Sequence, residues 1–165
     1  MSIRHRIGTT LVLFLAASGF LGANGGETRK LEGRDSGRFF LSATADPDVK
    51  RTQDFSNGQS PLLGNYNLVA HEGVNLKTGQ ITDGAFTITA ENGDTILGEY
   101  GGSGAPTEIP GVITYVATGA ITEGTGAFAG ASGTLTFSGV ADLRTGVLSE
   151  MITGDVRLHE SRSKR

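Results

Sequence analysis

The stretch ITEGTGAFAGASGTLTFSG, from Ile121 to Gly139, decides the fold. It reads as the end of one strand, a glycine-rich corner and the start of the next strand. Gly124, Gly126, Gly130 and Gly133 crowd the corner around one large apolar residue, Phe128. Glycine at that density marks backbone angles or close contacts that a side chain would forbid. Beyond the corner, Thr134, Thr136 and Ser138 alternate with Leu135, Phe137 and Gly139. A period of two predicts a half-buried strand.

The same alternation recurs on both sides. Strands are predicted over residues 38–45, 64–73, 81–91, 94–101, 111–121, 133–142 and 147–158, with no helical period outside the N-terminus. Residues 24–37 read as a flexible lead-in and 159–165 as a basic tail. The stretch between Asp46 and Pro61 reads as a loop, and the region around it is long enough to hide one more strand. Many short strands at regular spacing predict an all-β sandwich or barrel.

The turns set registers, and registers decide which side chains share a face. Asn92-Gly93 suits a two-residue hairpin, which pairs 90 with 95, 88 with 97 and 86 with 99. Phe86, Ile88 and Ala90 then share a face with Thr95, Leu97 and Glu99. The loop from Asp142 to Gly146 pairs 141 with 148, 139 with 150 and 137 with 152. That groups Leu135, Phe137 and Ala141 with Leu148, Glu150, Ile152 and Val156. In 111–121 the inner set is Ile113, Tyr115, Ala117 and Ile121. The 76–79 loop allows two arrangements. Without a bulge, Asn65, Asn67 and Val69 join Phe86; with one β-bulge, Tyr66, Leu68 and Ala70 do. Were Tyr66, Leu68, Ile96 and Tyr100 to face outward, they would offer a surface for a homo-oligomer.

The chain has 165 residues and opens with Arg4, His5 and Arg6, an uncharged apolar run over 7–22, and small residues at Gly22, Ala23, Gly25 and Gly26. A basic start, a short apolar run and a small-residue exit describe a secretory signal peptide, here residues 1–23. The run is shorter than the roughly 20 apolar residues of a spanning helix, so no membrane anchor is expected after cleavage. The expected location is secreted or periplasmic. Cysteine is absent, so no disulfide can form and the core must stabilise the domain. Without Arg4 and Arg6 the chain keeps 12 basic and 17 acidic residues, a net charge near −5, which argues against a nucleic-acid partner.

At the glycine corner the chain resembles the allene oxide cyclase and dirigent superfamily, in particular its small exported bacterial members. Their pattern is Gly-Gly-Thr/Ser-Gly-Arg-Phe-x-Gly-Ala-x-Gly, and here it reads from Glu123 to Gly133, with Glu123 for glycine and Ala127 for arginine. The stretch from Asp83 through Asn92-Gly93 to Tyr100 also resembles the family's middle hairpin. The resemblance covers roughly Gly58 to Val156. It implies a single antiparallel, calycin-like β-barrel of about eight strands with a central cavity, over residues 38–158. Plant cyclases of this family use a lumenal glutamate, and dirigent proteins steer phenoxy-radical coupling. Their functional residues do not map one by one onto this chain. Where the bacterial relatives carry histidines, it has Gln59 and Leu62.

Glu99 and Glu150 are the candidate acid–base groups, since a carboxylate in an apolar lumen has a raised pKa. Each would otherwise sit solvated at a barrel mouth or satisfy a backbone group. Phe86, Tyr115 and Phe137, with Phe128, either line a ligand cavity or fill the core. His71 and His159 lack a third metal ligand, and Asp46, Asp48 and Asp54 fit no calcium loop and read as solvated. No cofactor and no metal are expected. The leading expectation is a binding module for a small apolar or aromatic molecule. The others are a cyclase-like isomerase using Glu99 or Glu150, and a non-catalytic structural barrel.

Overall fold

The computed structural model describes residues 26–159. The predicted signal peptide and all of the basic tail beyond His159 lie outside them. Eight strands follow one another along the chain: β1 (Glu27–Ala43), β2 (Val49–Ser60), β3 (Gly64–Asn75), β4 (Gln80–Thr89), β5 (Thr95–Pro106), β6 (Val112–Gly124), β7 (Ser132–Asp142) and β8 (Val147–Leu158). Each pairs antiparallel with its sequence neighbours, and β8 returns to β1 to close one barrel. Closure leaves no unpaired edge. The expected all-β single barrel is the architecture found.

Two segments differ from expectation, for one reason. Residues 27–37, read as flexible lead-in, form most of β1, and the supposed loop before Pro61 holds β2. On β1 the buried or half-buried positions are Leu31, Gly33, Asp35, Gly37 and Phe39. On β2, after half-buried Val49 and Lys50, they are Thr52, Asp54, Ser56, Gly58 and Ser60. The inward alternation is present but polar or glycine-rich, so hydrophobicity does not reveal it. β5 also runs past the predicted end at residue 101, through Gly102-Ser103-Gly104 to Pro106.

The β4–β5 hairpin is one residue away from the expected register. Gly93 N–H donates to Ala90 O and Ala90 N–H to Asp94 O, so the turn runs from Ala90 to Gly93. Gly93 alone takes a left-handed angle, φ 87°, whereas a type I′ turn needs Asn92 there too. Thr89 therefore faces Thr95 and Ile88 faces Ile96. The slip turns Leu97 and Glu99 away from the interior and brings in Ile96, Gly98 and Tyr100.

Between β3 and β4 the bulged alternative holds. The register shifts between His71 and Gly73, and Asp83 takes φ 52°. Ala70 faces Phe86 and Leu68 faces Ile88. Tyr66, Leu68, Ile96 and Tyr100 all point inward, so they supply no outer surface for an oligomer. The β7–β8 register is the expected one, with Ala141 opposite Leu148 and Gly139 opposite Glu150.

The glycine corner closes one end of the barrel. A short 3-10 turn, Gly126–Phe128, starts at a left-handed Gly126, φ 54°, where Ala127 N–H donates to Asp94 Oδ2 at 2.8 Å. This turn folds Phe128 into the core beside Leu31, Leu63, Ile121 and Val156. The other end, ringed by the β1–β2, β3–β4, β5–β6 and β7–β8 loops, opens into the interior.

Candidate functional site

The upper half of the barrel is hollow, with a cavity of about 370 Å³. Its two walls differ in chemistry. Strands β4 to β7 contribute Phe86, Tyr100, Tyr115, Ala117 and Phe137. The rings of Phe86 and Phe137 lie 5.2 Å apart, and those of Tyr100 and Phe137 5.5 Å. Strands β8, β2 and β3 contribute Glu150, Thr52, Asp54 and Glu72 to the lining. Asp35 lies in the same wall as the register partner of Glu150. A larger, more open polar hollow lies on the barrel's outside around Arg34, Asn57 and Asn65, and the buried pair of Asp35 and Tyr66 borders it.

All three tyrosines of the chain reach a carboxylate in the same way. Each ring passes over a glycine on the intervening strand and donates its hydroxyl to a carboxylate one strand further on. Tyr115 on β6 crosses Gly139 on β7 to Glu150 Oε2, at 2.9 Å. Tyr66 on β3 crosses Gly58 on β2 to Asp35 Oδ2, at 2.7 Å. Tyr100 on β5 crosses Gly84 on β4 to Glu72 Oε2, at 2.5 Å. The glycines make the crossings possible. A Cβ at Gly139 would stand 2.7 Å from the Tyr115 hydroxyl, and one at Gly84 would stand 2.8 Å from the Tyr100 ring.

Burial controls the charge of this wall. It pushes Glu150 up to about 8, assisted by the nearby charge of Asp35 and partly offset by the Tyr115 hydroxyl. Asp54 is also pushed up to about 8, first by burial and then by Glu72. Asp35 is raised by burial as well, against the Tyr66 hydrogen bond. The three tyrosines are raised, chiefly by burial and then by their carboxylate partners, and stay protonated donors. At neutral pH Glu150 and Asp54 are therefore carboxylic acids that can donate or accept a proton.

Glu150, Phe86, Tyr115 and Phe137 thus meet in one cavity. Phe86 and Phe137 are both core residues and cavity wall, while Phe128 belongs to the closed end. Glu99 is excluded, because the one-residue slip puts it exposed on the outside. Asp54, read as solvated in a loop, lies on β2 and lines the cavity. His71 and His159 are exposed. Sequence reading missed Asp35, Asp54, Glu72, Tyr66 and Tyr100. Three tyrosines in a chain without tryptophan were a signal, but only correct registers connect each to its glycine and acid.

The structure of a pterocarpan synthase dirigent protein superposes with a TM-score of 0.57, covering 93% of this chain and 100% of that one. The chain has the dirigent barrel fold. At 16% identity this likeness shows the fold alone. A second pterocarpan synthase dirigent protein gives a TM-score of 0.43 at 11% identity, over 82% of this chain and 97% of that one, and carries no weight here. No protein-family model and no curated protein matches the chain.

Proposed function

We propose that this dirigent-fold barrel is an exported protein that binds a small, largely apolar or aromatic molecule in its lumen. The observation that carries this reading is the hollow upper half. A volume of about 370 Å³ falls within the usual range of small-molecule sites. Apolar walls with a few convergent polar groups are the usual construction of such a site, and the aromatic wall facing Glu150 and Asp54 follows it. A dirigent protein of the same fold is a pterocarpan synthase, which fits an organic ligand in a barrel of this kind.

Two measurements test the reading. Native mass spectrometry of the purified protein should show a co-purified small molecule, and fatty acids or phenols should raise its melting temperature. A ligand at about 100 times its Kd adds about 2.7 kcal/mol, a shift of several degrees. Ala117 is buried and lines the cavity, so Ala117→Trp should fill the lumen and abolish the shift. Apo protein alone, with no shift from any probe, would count against binding. Export is tested by N-terminal sequencing of protein recovered outside the cytoplasm, which should begin near Asn24 or Gly26.

A second reading, proton-transfer isomerisation, is favoured by one pair. Glu150 is pushed up to about 8 with a hydroxyl 2.9 Å away, which places it near the working pH of a general acid or base. Glu150→Gln should then abolish deuterium exchange into a bound ligand in heavy water, while Glu99→Gln should leave it unchanged. Exchange that survives Glu150→Gln would remove this reading.

A further inference from the structure

Three carboxyl groups line the lumen, Asp35 stands beside them, and no cationic side chain of the described residues pairs with them. The single cationic side chain among the lining residues is Lys77, exposed in the β3–β4 loop at the mouth. None of the salt bridges among the described residues involves Asp35, Asp54, Glu72 or Glu150. A second observation is independent of the acids. Thr52 is 7% exposed and lines the cavity, yet among the described residues its Oγ1 has no hydrogen-bond partner, and neither has Asp54 Oδ1 on the same strand. Buried polar atoms without a partner are costly unless something else meets them. Among the described residues no three acids or histidines converge closely enough to hold a metal ion. The opposite wall offers aromatic faces, which attract organic cations as well as apolar bodies.

We propose that the lumen takes a small organic cation, a primary or secondary amine on an aromatic body. Its ammonium lies among Asp54, Glu72 and Glu150, and its ring lies against Phe86, Tyr100 and Phe137. This rests on the reading of the lumen as a ligand site and names the ligand class. The proton balance is simple. The ammonium N–H donates to a carboxylate, and the proton that the free acid held leaves to solvent. The groups facing Glu150 are Asp35 on β1, Asp54 on β2, Glu72 on β3 and Tyr115 on β6. The three acids oppose its ionisation and the Tyr115 hydroxyl favours it, so a cation supplies the countercharge that the wall's own residues do not.

Calorimetric titration with 2-phenylethylamine and its neutral counterpart 2-phenylethanol decides the matter. The expected result is amine binding at least about tenfold tighter, with net proton release between buffers of different ionisation enthalpy. Amine affinity should rise as pH goes from about 6 to about 8, as the free carboxyls ionise. Glu150→Gln, and separately Asp54→Asn, should each bring the amine-to-alcohol ratio towards one. Should one variant fail to fold, the other and the wild-type pair still decide. Alcohol binding as tight as amine, or amine binding without proton release, overturns the cation and leaves the lumen site standing. Failure of both probes to bind, or to displace a polarity-sensitive dye, overturns the lumen site and the cation with it.

Discussion

At the scale of single residues, the unit of this site is a tyrosine, a glycine and an acid on three successive strands. Tyr100 and Tyr115 supply ring surface to the cavity, and each of the three tyrosines gives a hydroxyl to a carboxyl that burial would otherwise leave unsatisfied. Tyr115→Phe removes the hydroxyl from Glu150 and should cost about 1–2 kcal/mol in urea denaturation. The loss should be larger at about pH 9 than at about pH 5, because only the ionised carboxylate has lost a charge-assisted partner. Gly139→Ala tests the crossing itself. Its Cβ would meet the Tyr115 hydroxyl at 2.7 Å and Ser149 O at 2.6 Å, so ring or backbone must shift. A cost of about 1–3 kcal/mol is expected. In a Tyr115→Phe background one of those two contacts is gone, and the cost should fall by about 0.5 kcal/mol or more. Strict additivity would show that the glycine does not serve the tyrosine.

At the scale of elements, the strands legible in the sequence are those whose inward residues are apolar. The alternation in β6, β7 and β8 is plain, and the Asp142–Gly146 loop sets their register correctly, so Glu150, Tyr115 and Phe137 could be placed together. β4 and β5 were also legible as strands, but Asn92-Gly93 is compatible with more than one turn. The turn that forms moved every β5 side chain to the other face, exchanging Glu99 for Tyr100. Most of β1 and all of β2 were illegible because Asp35, Thr52, Asp54 and Ser56 take the places of core residues. A pattern that breaks the hydrophobic rule without breaking the fold is where function is expected. The acid wall was hidden by the same residues that make it. The glycine corner has the opposite character, since its role is packing. Phe128 is 4% exposed, and Phe128→Ala should cost about 3–5 kcal/mol in denaturant unfolding. A cost under about 1 kcal/mol would mean that the end collapses around the gap.

At the scale of the whole molecule, the barrel divides its stability from its chemistry. One end is filled by Leu31, Leu63, Phe128 and their neighbours, and the other keeps a hollow lined by acids. The hollow half carries an energetic cost that depends on pH. Glu150 and Asp54 titrate near 4.5 and 3.8 when free of the fold and are both pushed up to about 8 within it. Between these limits the folded chain binds more protons than the unfolded chain, so stability falls as pH rises. The cost is absent below about pH 4, grows through neutrality and levels off above about pH 8. Unfolding free energy should therefore be larger at about pH 5 than at about pH 9, by on the order of 2 kcal/mol or more. Glu150→Gln keeps the shape and an acceptor for Tyr115 but cannot ionise. It should flatten this slope and stabilise the protein at about pH 9 while changing little at about pH 5. A variant whose stability follows pH as steeply as the parent would show that Glu150 is already ionised at neutral pH. That outcome would also remove it as a proton-transfer group, because a carboxylate with an ordinary pKa holds no proton to give.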